Sequence, residues 1–420
     1  MGVGMESVEA FRARARAWVR ANVPRAEEVA AAPTEQRVRQ AQALQARIFD
    51  AGFAGVTWPK EFGGQALTPA HMHAFVDELA GYDNPYSTLS VSLGVIGPTL
   101  LELGTPEQRA IHLPPLLRGD TLWVQYLSEP SGGSDMAGVL TRATRDGDTW
   151  VLNGAKVWTT FGQYADYALC LTRSNWDVPK HRGLSMFIVP VDSPGLTVVP
   201  LTQVTGASEF CQEFMEDVVL PADQLLGAEN DGWSVASQLL VHERNALGGG
   251  SPYFAGGRRT EPEGGADREL VALAVRTGQA ADRHARQLVA EVHVLSTVGG
   301  QLAARVATGM RRGVFGGPAG SMLKLYSANL HLRRTEVNLE LAGASAVAWD
   351  EDDHRSQGYA MAWLSRQGTS IMGGTNEIQR NIISERVLGL PREAAPDKDV
   401  PFNQVRHNRP AGQGGRSGSP

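Results

Sequence analysis

Two cysteines, Cys170 and Cys211, are all that the 420 residues contain. That excludes a disulfide scaffold and a zinc site built on cysteine. No run of about 18 apolar residues occurs, so no membrane-spanning helix is expected. Lysine and arginine number 39 against 45 aspartates and glutamates, a formal net charge of −6. Without a basic excess or a dense Lys/Arg stripe, nucleic-acid binding is not expected. His71 and His73 are close in sequence, but no Cys or further His joins them at ligand spacing, so no metal is expected. No G-x-G-x-x-G opens a βαβ unit, and no P-loop Lys follows a Gly-rich turn. The 47 glycines and 23 prolines make about 17% of the chain, short of low-complexity disorder.

A targeting segment is not expected either. Phe11, Ala15, Trp18 and Val19 recur at helical spacing, with arginines on the other faces and Glu6 and Glu9 before them. This is the pattern of an ordinary amphipathic helix rather than an Arg-rich transit peptide. Glu6 stands where a myristoylation signal has Ser or Thr. Mitochondrial import is not supported, and a cytoplasmic protein is expected.

What is present falls into helices, then strands, then helices. Residues 1–121 read as an all-helical domain, with Thr105-Pro106-Glu107-Gln108 as a capping box carrying Pro at the first helical position. Residues 122–229 hold about six short strand-like runs, and Asn153-Gly154 between two of them signals a hairpin. A small antiparallel sandwich or barrel is expected there. Residues 230–394 return to helical texture, broken by the Gly-rich stretch 248–265, and residues 395–420 read as a disordered tail. Such an order points to segregated domains, an α+β multi-domain fold rather than a βαβ sheet.

Four segments carry candidate chemistry. Leu127-Ser128-Glu129-Pro130-Ser131-Gly132-Gly133-Ser134-Asp135 offers backbone N–H groups and small hydroxyls to a phosphate or a polar cofactor edge, or is an ordinary turn. In Asn153-Gly154-Ala155-Lys156-Val157-Trp158-Thr159-Thr160, Trp158 either stacks on a planar ring, with Thr160 beside it, or fills the core. Gly373-Gly374-Thr375 opens a helix whose N-terminus suits a pyrophosphate, and capping by Thr375 is compatible with that role. Finally, at 100° per residue Leu239, Ala236, Leu247 and Leu240 span an arc of about 100°, and Glu243 falls inside it. A carboxylate in an apolar stripe pairs with a cation or keeps a raised pKa, which suits a general base.

Together these segments resemble the acyl-CoA dehydrogenase family. Residues 123–138 are similar to its flavin-domain signature and Asn153–Thr160 to its second. Met372-Gly373-Gly374-Thr375-Asn376-Glu377-Ile378-Gln379-Arg380, running on to Pro391, is similar to its C-terminal one. The resemblance covers about residues 5–393. It implies an N-terminal helical domain, a middle β domain and a C-terminal four-helix bundle. It also implies FAD, an acyl-CoA substrate, and α,β-dehydrogenation to a trans-2-enoyl-CoA with electrons passed to an electron-transfer flavoprotein. On this basis Leu127, Ser128, Gly133 and Ser134 contact the flavin or its pyrophosphate, and Trp158 and Thr160 flank the ring. Thr375 and Glu377 meet the diphosphate and ribityl region. Ser134 and Arg244 meet the substrate, and the Gly373 N–H faces the thioester carbonyl.

Two departures stand out. Many family members carry the catalytic Glu two residues before the Thr of the C-terminal motif, where this chain has Gly373. A minority resembling the isovaleryl-CoA branch place it on the first helix of the last domain just before an Arg, which matches Glu243-Arg244. The Arg-x-x-Phe-Gly segment that family homotetramers lend to a neighbour's adenine is not at its corresponding place either; it occurs only further along, as Arg312-Gly313-Val314-Phe315-Gly316. A homotetramer or dimer is expected, or a heterotetramer with a paralogue. The alternatives to an active dehydrogenase are a non-catalytic or half-site subunit of a heteromer and, less in keeping with the chain length, an acyl-CoA oxidase.

Overall fold

The structure, a computed structural model, describes residues 5–29, 34–247, 251, 253, 267–349 and 353–405. The expected Gly-rich break at 248–265 and the end of the chain beyond 405 lie outside the described residues, apart from Ser251 and Tyr253. Two compact units are present: the described residues within 1–201, 208–258 and 394–420 form the first, those within 202–207 and 259–393 the second.

The first unit opens with helices. α1 (Val8–Asn22) buries Phe11, Ala15 and Val19, the stripe read from the sequence, and Ser7 Oγ caps it by accepting from the Ala10 N–H. α2 (Thr34–Asp50) and α3 (Pro69–Leu79) pack with it. α4 (Tyr86–Val91) runs through a π turn, Ser92–Ile96, into α5 (Gly97–Leu103). The hydroxyl of Ser92 in that turn donates to the Trp123 carbonyl and accepts from the Trp123 N–H, joining helices to sheet. α6 (Pro106–Arg118) starts on the expected capping box between Thr105 and Gln108. The Gln108 amide also donates to the carbonyls of Asp223 and Leu225, at 2.7 and 2.9 Å.

The β domain holds β1 (Trp123–Tyr126), β2 (Arg142–Asp146), β3 (Thr149–Thr160), β4 (Tyr167–Arg173), β5 (Leu184–Pro190), β6 (Leu196–Leu201), β7 (Phe210–Pro221) and β8 (Leu225–Leu226). Their order is β6-β7-β3-β2-β4-β5-β8, with β1 beside β4. Strand alternation on β4 and β5 serves two cores. Ala168, Cys170, Phe187 and Val189 face the sheet's own core, while Leu169, Leu171, Met186 and Ile188 face the helices. That is why both strands are apolar on successive positions, 168–171 and 186–189, with no polar alternation.

Two expectations for this domain are corrected. The sheet is not purely antiparallel: β1 pairs with β4 in parallel, and β2 touches β4 the same way. Parallel neighbours need a long connection, here the Gly-rich loop plus β2 and β3. Nor is Asn153-Gly154 a hairpin turn. It lies within one continuous strand, β3, at an irregularity against β7. Asn153 exchanges two hydrogen bonds with Asp217, and a Cβ on Gly154 would sit 2.6 Å from Thr141 Oγ1. The turn between β2 and β3 is made at Gly147 instead, with φ 57°.

α7 (Gly232–Leu247) closes the first unit's helical part. The second unit is helical: α8 (Arg268–Arg276), α9 (Arg283–Arg311), α10 (Gly320–Ala342), α11 (His354–Ser365), α12 (Gly368–Ile371) and α13 (Asn376–Ile382). Its core gathers Leu270, Leu273, Leu288, Val292, Val337 and Leu341. Among the described residues no helix is long and apolar enough to cross a membrane.

The expected disordered tail does not begin at 395. Residues 395–405 are described, and Phe402 is buried under the Arg173 guanidinium, 3.5 Å from its ring centroid. The Phe402 and Asn403 N–H groups donate to the carbonyls of Val178 and Trp176. An apolar ring covering a buried guanidinium is what holds this segment, and nothing in the polar local sequence signals it. Phe402→Ala is expected to cost about 3–5 kcal/mol, the range for a buried Phe. Urea denaturation of the full chain reads that loss, and an unchanged transition would place the ring outside the stabilising core.

Candidate active site

The first two motifs meet on a buried ion pair. Lys156 of β3 and Glu129 of the Gly-rich loop are both buried, with Nζ to Oε1 at 2.9 Å. Lys156 Nζ donates also to the carbonyls of Leu127 and Leu171, at 3.2 and 2.6 Å. Glu129 in turn accepts from the N–H groups of Leu140 and Thr141, at 2.6 and 2.8 Å. Burial pushes the Glu129 carboxyl up, but the Lys156 ammonium and these hydrogen bonds outweigh it and hold it below the usual range.

That pair shapes the loop above it. Leu127 is buried, and the Ser128 carbonyl accepts from the Val157 N–H, so the loop lies along β3. Glu129 and Gly132 exchange backbone hydrogen bonds in a tight turn. Gly133 sits against the Ser128 hydroxyl, where a Cβ would lie 3.2 Å from Oγ. Gly133 and Ser134 are exposed, and Asp135 pairs with Lys180 at 2.9 Å.

Trp158 lies on the neighbouring stretch of β3, and its placement is not that of a core residue. It is 61% exposed, with φ 69°, at a bulge where β3 slips against β7. A core tryptophan would not be so exposed. Phe161 follows with φ 59°, so Thr159 and Thr160 lie between two strained residues. Such strain clusters where a backbone is held for function. Thr159 is buried and Thr160 half-buried.

Glu243 is positioned by α7. The helix starts against β5 at Gly232, where a Cβ would lie 2.6 Å from Ser185 backbone atoms, so only glycine fits. Trp233 packs edge-on to His181, and Gln238 and His242 both reach the Glu102 carboxylate of α5. Val235, Ala236, Leu239 and Ala246 are fully buried, and Glu243 falls inside that arc yet stays half-exposed, as does Arg244. The side chain of Leu247, part of the expected stripe, lies outside the described residues.

The third motif belongs to the second unit. Gly373 and Gly374 have φ 66° and 87°, conformations that favour glycine. Thr375 Oγ1 accepts from the Ile378 N–H and caps α13. The Gln379 amide donates to the carbonyls of Gly373 and Gly374, and Glu377 is exposed. Among the described residues no group of three or more His, Cys, Asp or Glu is placed to hold a metal.

Comparison with known proteins agrees with this arrangement. The N-terminal, middle and C-terminal domain models of acyl-CoA dehydrogenases match residues 5–120, 125–218 and 230–388. The chain belongs to the acyl-CoA dehydrogenase family. It is 35% identical over 409 residues to acyl-CoA dehydrogenase IpdE1 of Mycobacterium tuberculosis, covering 93% of this chain and all of that one. Among solved structures it is similar to the Tcur3481-Tcur3483 steroid ACAD, with TM-score 0.73 and 26% identity over 94% of this chain and 100% of that one. It is also similar to the ChsE4-ChsE5 complex of Mycobacterium tuberculosis, with TM-score 0.68 and 25% identity over 94% and 100%.

As an acyl-CoA dehydrogenase the chain is an oxidoreductase acting on acyl-CoA. Its motif residues Leu127, Ser128, Gly133, Ser134, Trp158 and Thr160 come together in the first unit, which also carries Glu243 and Arg244. Sequence reasoning missed the charges beneath them. Glu129, Lys156, Arg173 and Glu213 are all buried, and strand alternation signals it for Lys156 and Glu213 alone. Glu213 falls in step with Cys211 and Met215 on β7, and Lys156 with Trp150 and Leu152 on β3. Replacing one partner of the buried pair, Lys156→Met, is expected to cost about 3–5 kcal/mol. The double change with Glu129→Leu should recover much of that. Urea denaturation of both variants tests it; equal losses in the single and double variants would contradict the pairing.

Proposed function

We propose that the chain binds FAD and catalyses α,β-dehydrogenation of an acyl-CoA thioester to a trans-2-enoyl-CoA, passing electrons to an electron-transfer flavoprotein. The observation that carries this reading is Trp158, a large aromatic held exposed and left-handed beside a Ser/Gly loop on a buried ion pair. The fit to a flavin has a second support. The Gln125 amide nitrogen, two residues before Leu127, is buried with no acceptor among the described residues. When bound, FAD supplies the hydride acceptor.

The chain's own residues do the rest. Leu127, Ser128, Gly133 and Ser134 hold the flavin and its pyrophosphate, and Trp158 and Thr160 flank the ring. Thr375 and Glu377 take the diphosphate and ribityl region. These last two roles, and that of the Gly373 N–H at the thioester carbonyl, rest on the family resemblance. A thioester α-C–H is a weak acid, so its removal needs a donor at the carbonyl oxygen and a base at the carbon. Glu243 is that base: it lies on the buried arc of α7 yet keeps access outward. Arg244 and Ser134 orient the thioester.

The acyl group is proposed to be bulky. Gly373 carries no side chain where many family members carry a glutamate, and one structural relative is titled a steroid acyl-CoA dehydrogenase. A second reading concerns assembly. Two relatives are named as pairs of different proteins, which favours a paralogous partner over a homotetramer or dimer. Exposed Val271, Val275, Val294 and Val298 on α8 and α9 support an assembly of either kind. In that arrangement this chain is an active or a half-site subunit.

The test is Glu243→Gln in the flavin-loaded protein. Turnover is expected to fall by at least ~10²-fold with FAD still bound, the low end for a general base. Near-normal turnover would remove Glu243 from the role.

A further inference from the structure

One buried charge has no part in the chemistry above. Glu213 is fully buried on the inward face of β7. Its Oε2 accepts from Thr159 Oγ1 at 2.9 Å, and its Oε1 has no partner among the described residues. Lys156 is nearby, but its three hydrogens already serve Leu127, Glu129 and Leu171. Tyr126 of β1, Cys170 of β4 and Cys211 of β7 complete the titratable surroundings, and none supplies a cation. Burial therefore pushes the Glu213 carboxyl up to about 7.

A carboxyl in such a place is costly, and an apolar side chain would suit the core better. What it does hold is specific. Thr159 lies between Trp158 and Thr160, and the chain turns tightly around the carboxyl: a Cβ on Gly162 would lie 2.8 Å from Glu213 Oε1. Trp158 and Phe161, the two left-handed residues, lie on either side of this contact. Strained backbone persists only where its surroundings over-determine it, and Thr159 pinned from inside is that determinant.

We infer that Glu213 is a positioning residue, which, by accepting the Thr159 hydroxyl, holds Trp158 and Thr160 in the bulged geometry that meets the flavin. The inference rests on the proposed function, in which those two residues flank the ring. Without the hydrogen bond, β3 relaxes toward regular pairing with β7 and Trp158 turns away from its outward position.

The test compares Glu213→Leu, Glu213→Gln and Thr159→Val in the full-length chain. For each, the FAD dissociation constant, the bound-flavin absorption band and the melting temperature of the FAD-free chain are measured. Glu213→Leu and Thr159→Val are expected to weaken FAD binding about tenfold, the fold-change that one hydrogen bond accounts for. Both should shift the flavin band. The FAD-free melting temperature of Glu213→Leu should hold or rise, and Glu213→Gln, which keeps an acceptor oxygen, should bind FAD as the wild type does. If Glu213→Leu does not fold, Thr159→Val carries the same expectation. Affinity that merely follows melting temperature across all three variants overturns the inference, because that is a structural role. A flavin-loaded wild type with unaltered Glu213→Leu and Thr159→Val variants overturns it alone. A wild type that takes up no FAD overturns the proposed function and the inference with it.

Discussion

A lysine ammonium removed from water must find acceptors for three hydrogens, and Lys156 finds them on three separate pieces of chain: Leu127, Glu129 and Leu171. The end of β1, the Gly-rich loop and the middle of β4 are therefore drawn to one point on β3. Glu129 extends the network to Leu140 and Thr141, where β2 begins. Moving any of these segments leaves a buried charge short of a partner, which costs far more than a typical surface contact. The Ser128–Gly133 loop and the Trp158 bulge take their places because this point does not give.

The same logic operates at Arg173. It is fully buried, and burial pulls it down to about 10. Its hydrogen bonds go to the carbonyls of Val139, Lys180 and Ala137, with Phe402 stacked on its face. Two buried cations, each satisfied mainly by backbone carbonyls, thus brace the turns on either side of the Gly-rich loop. An apolar core would serve stability as well; these networks fix particular loops in particular places. A flavin site needs that kind of fixity, since it must present an aromatic face and backbone donors that are already in position.

Much of this was legible in the residues and some was not. The succession of helical, strand and helical texture appears in the fold, and the capping box at Thr105–Gln108 forms between the atoms its spacing demands. The motifs carried the family. Asn153-Gly154 misled because a turn-forming pair can also be a strand irregularity, and only Asp217 across the sheet distinguishes the two. The parallel pairing of β1 with β4 depends on contacts more than forty residues apart. Residues 395–405 looked like tail because their polar composition hides a single aromatic whose partner, Arg173, lies on β4. The buried charges were hidden differently: alternation did place Lys156 and Glu213 inward, but charged residues are ordinarily assigned to solvent. Glu243 was legible as a conflict between residue type and position, and the structure keeps that conflict by leaving it half-exposed on a buried arc.

The central claim is that this chain's own motifs build a working flavin site for acyl-CoA oxidation. Anaerobic titration of the FAD-loaded chain with acyl-CoA thioesters, following the oxidised-flavin absorption band, tests it most directly. The expected result is that an acyl-CoA with a bulky acyl group bleaches the band in proportion to the thioester added. A chain that takes up no FAD even with a paralogous partner, or a flavin band that no acyl-CoA changes, would contradict the claim.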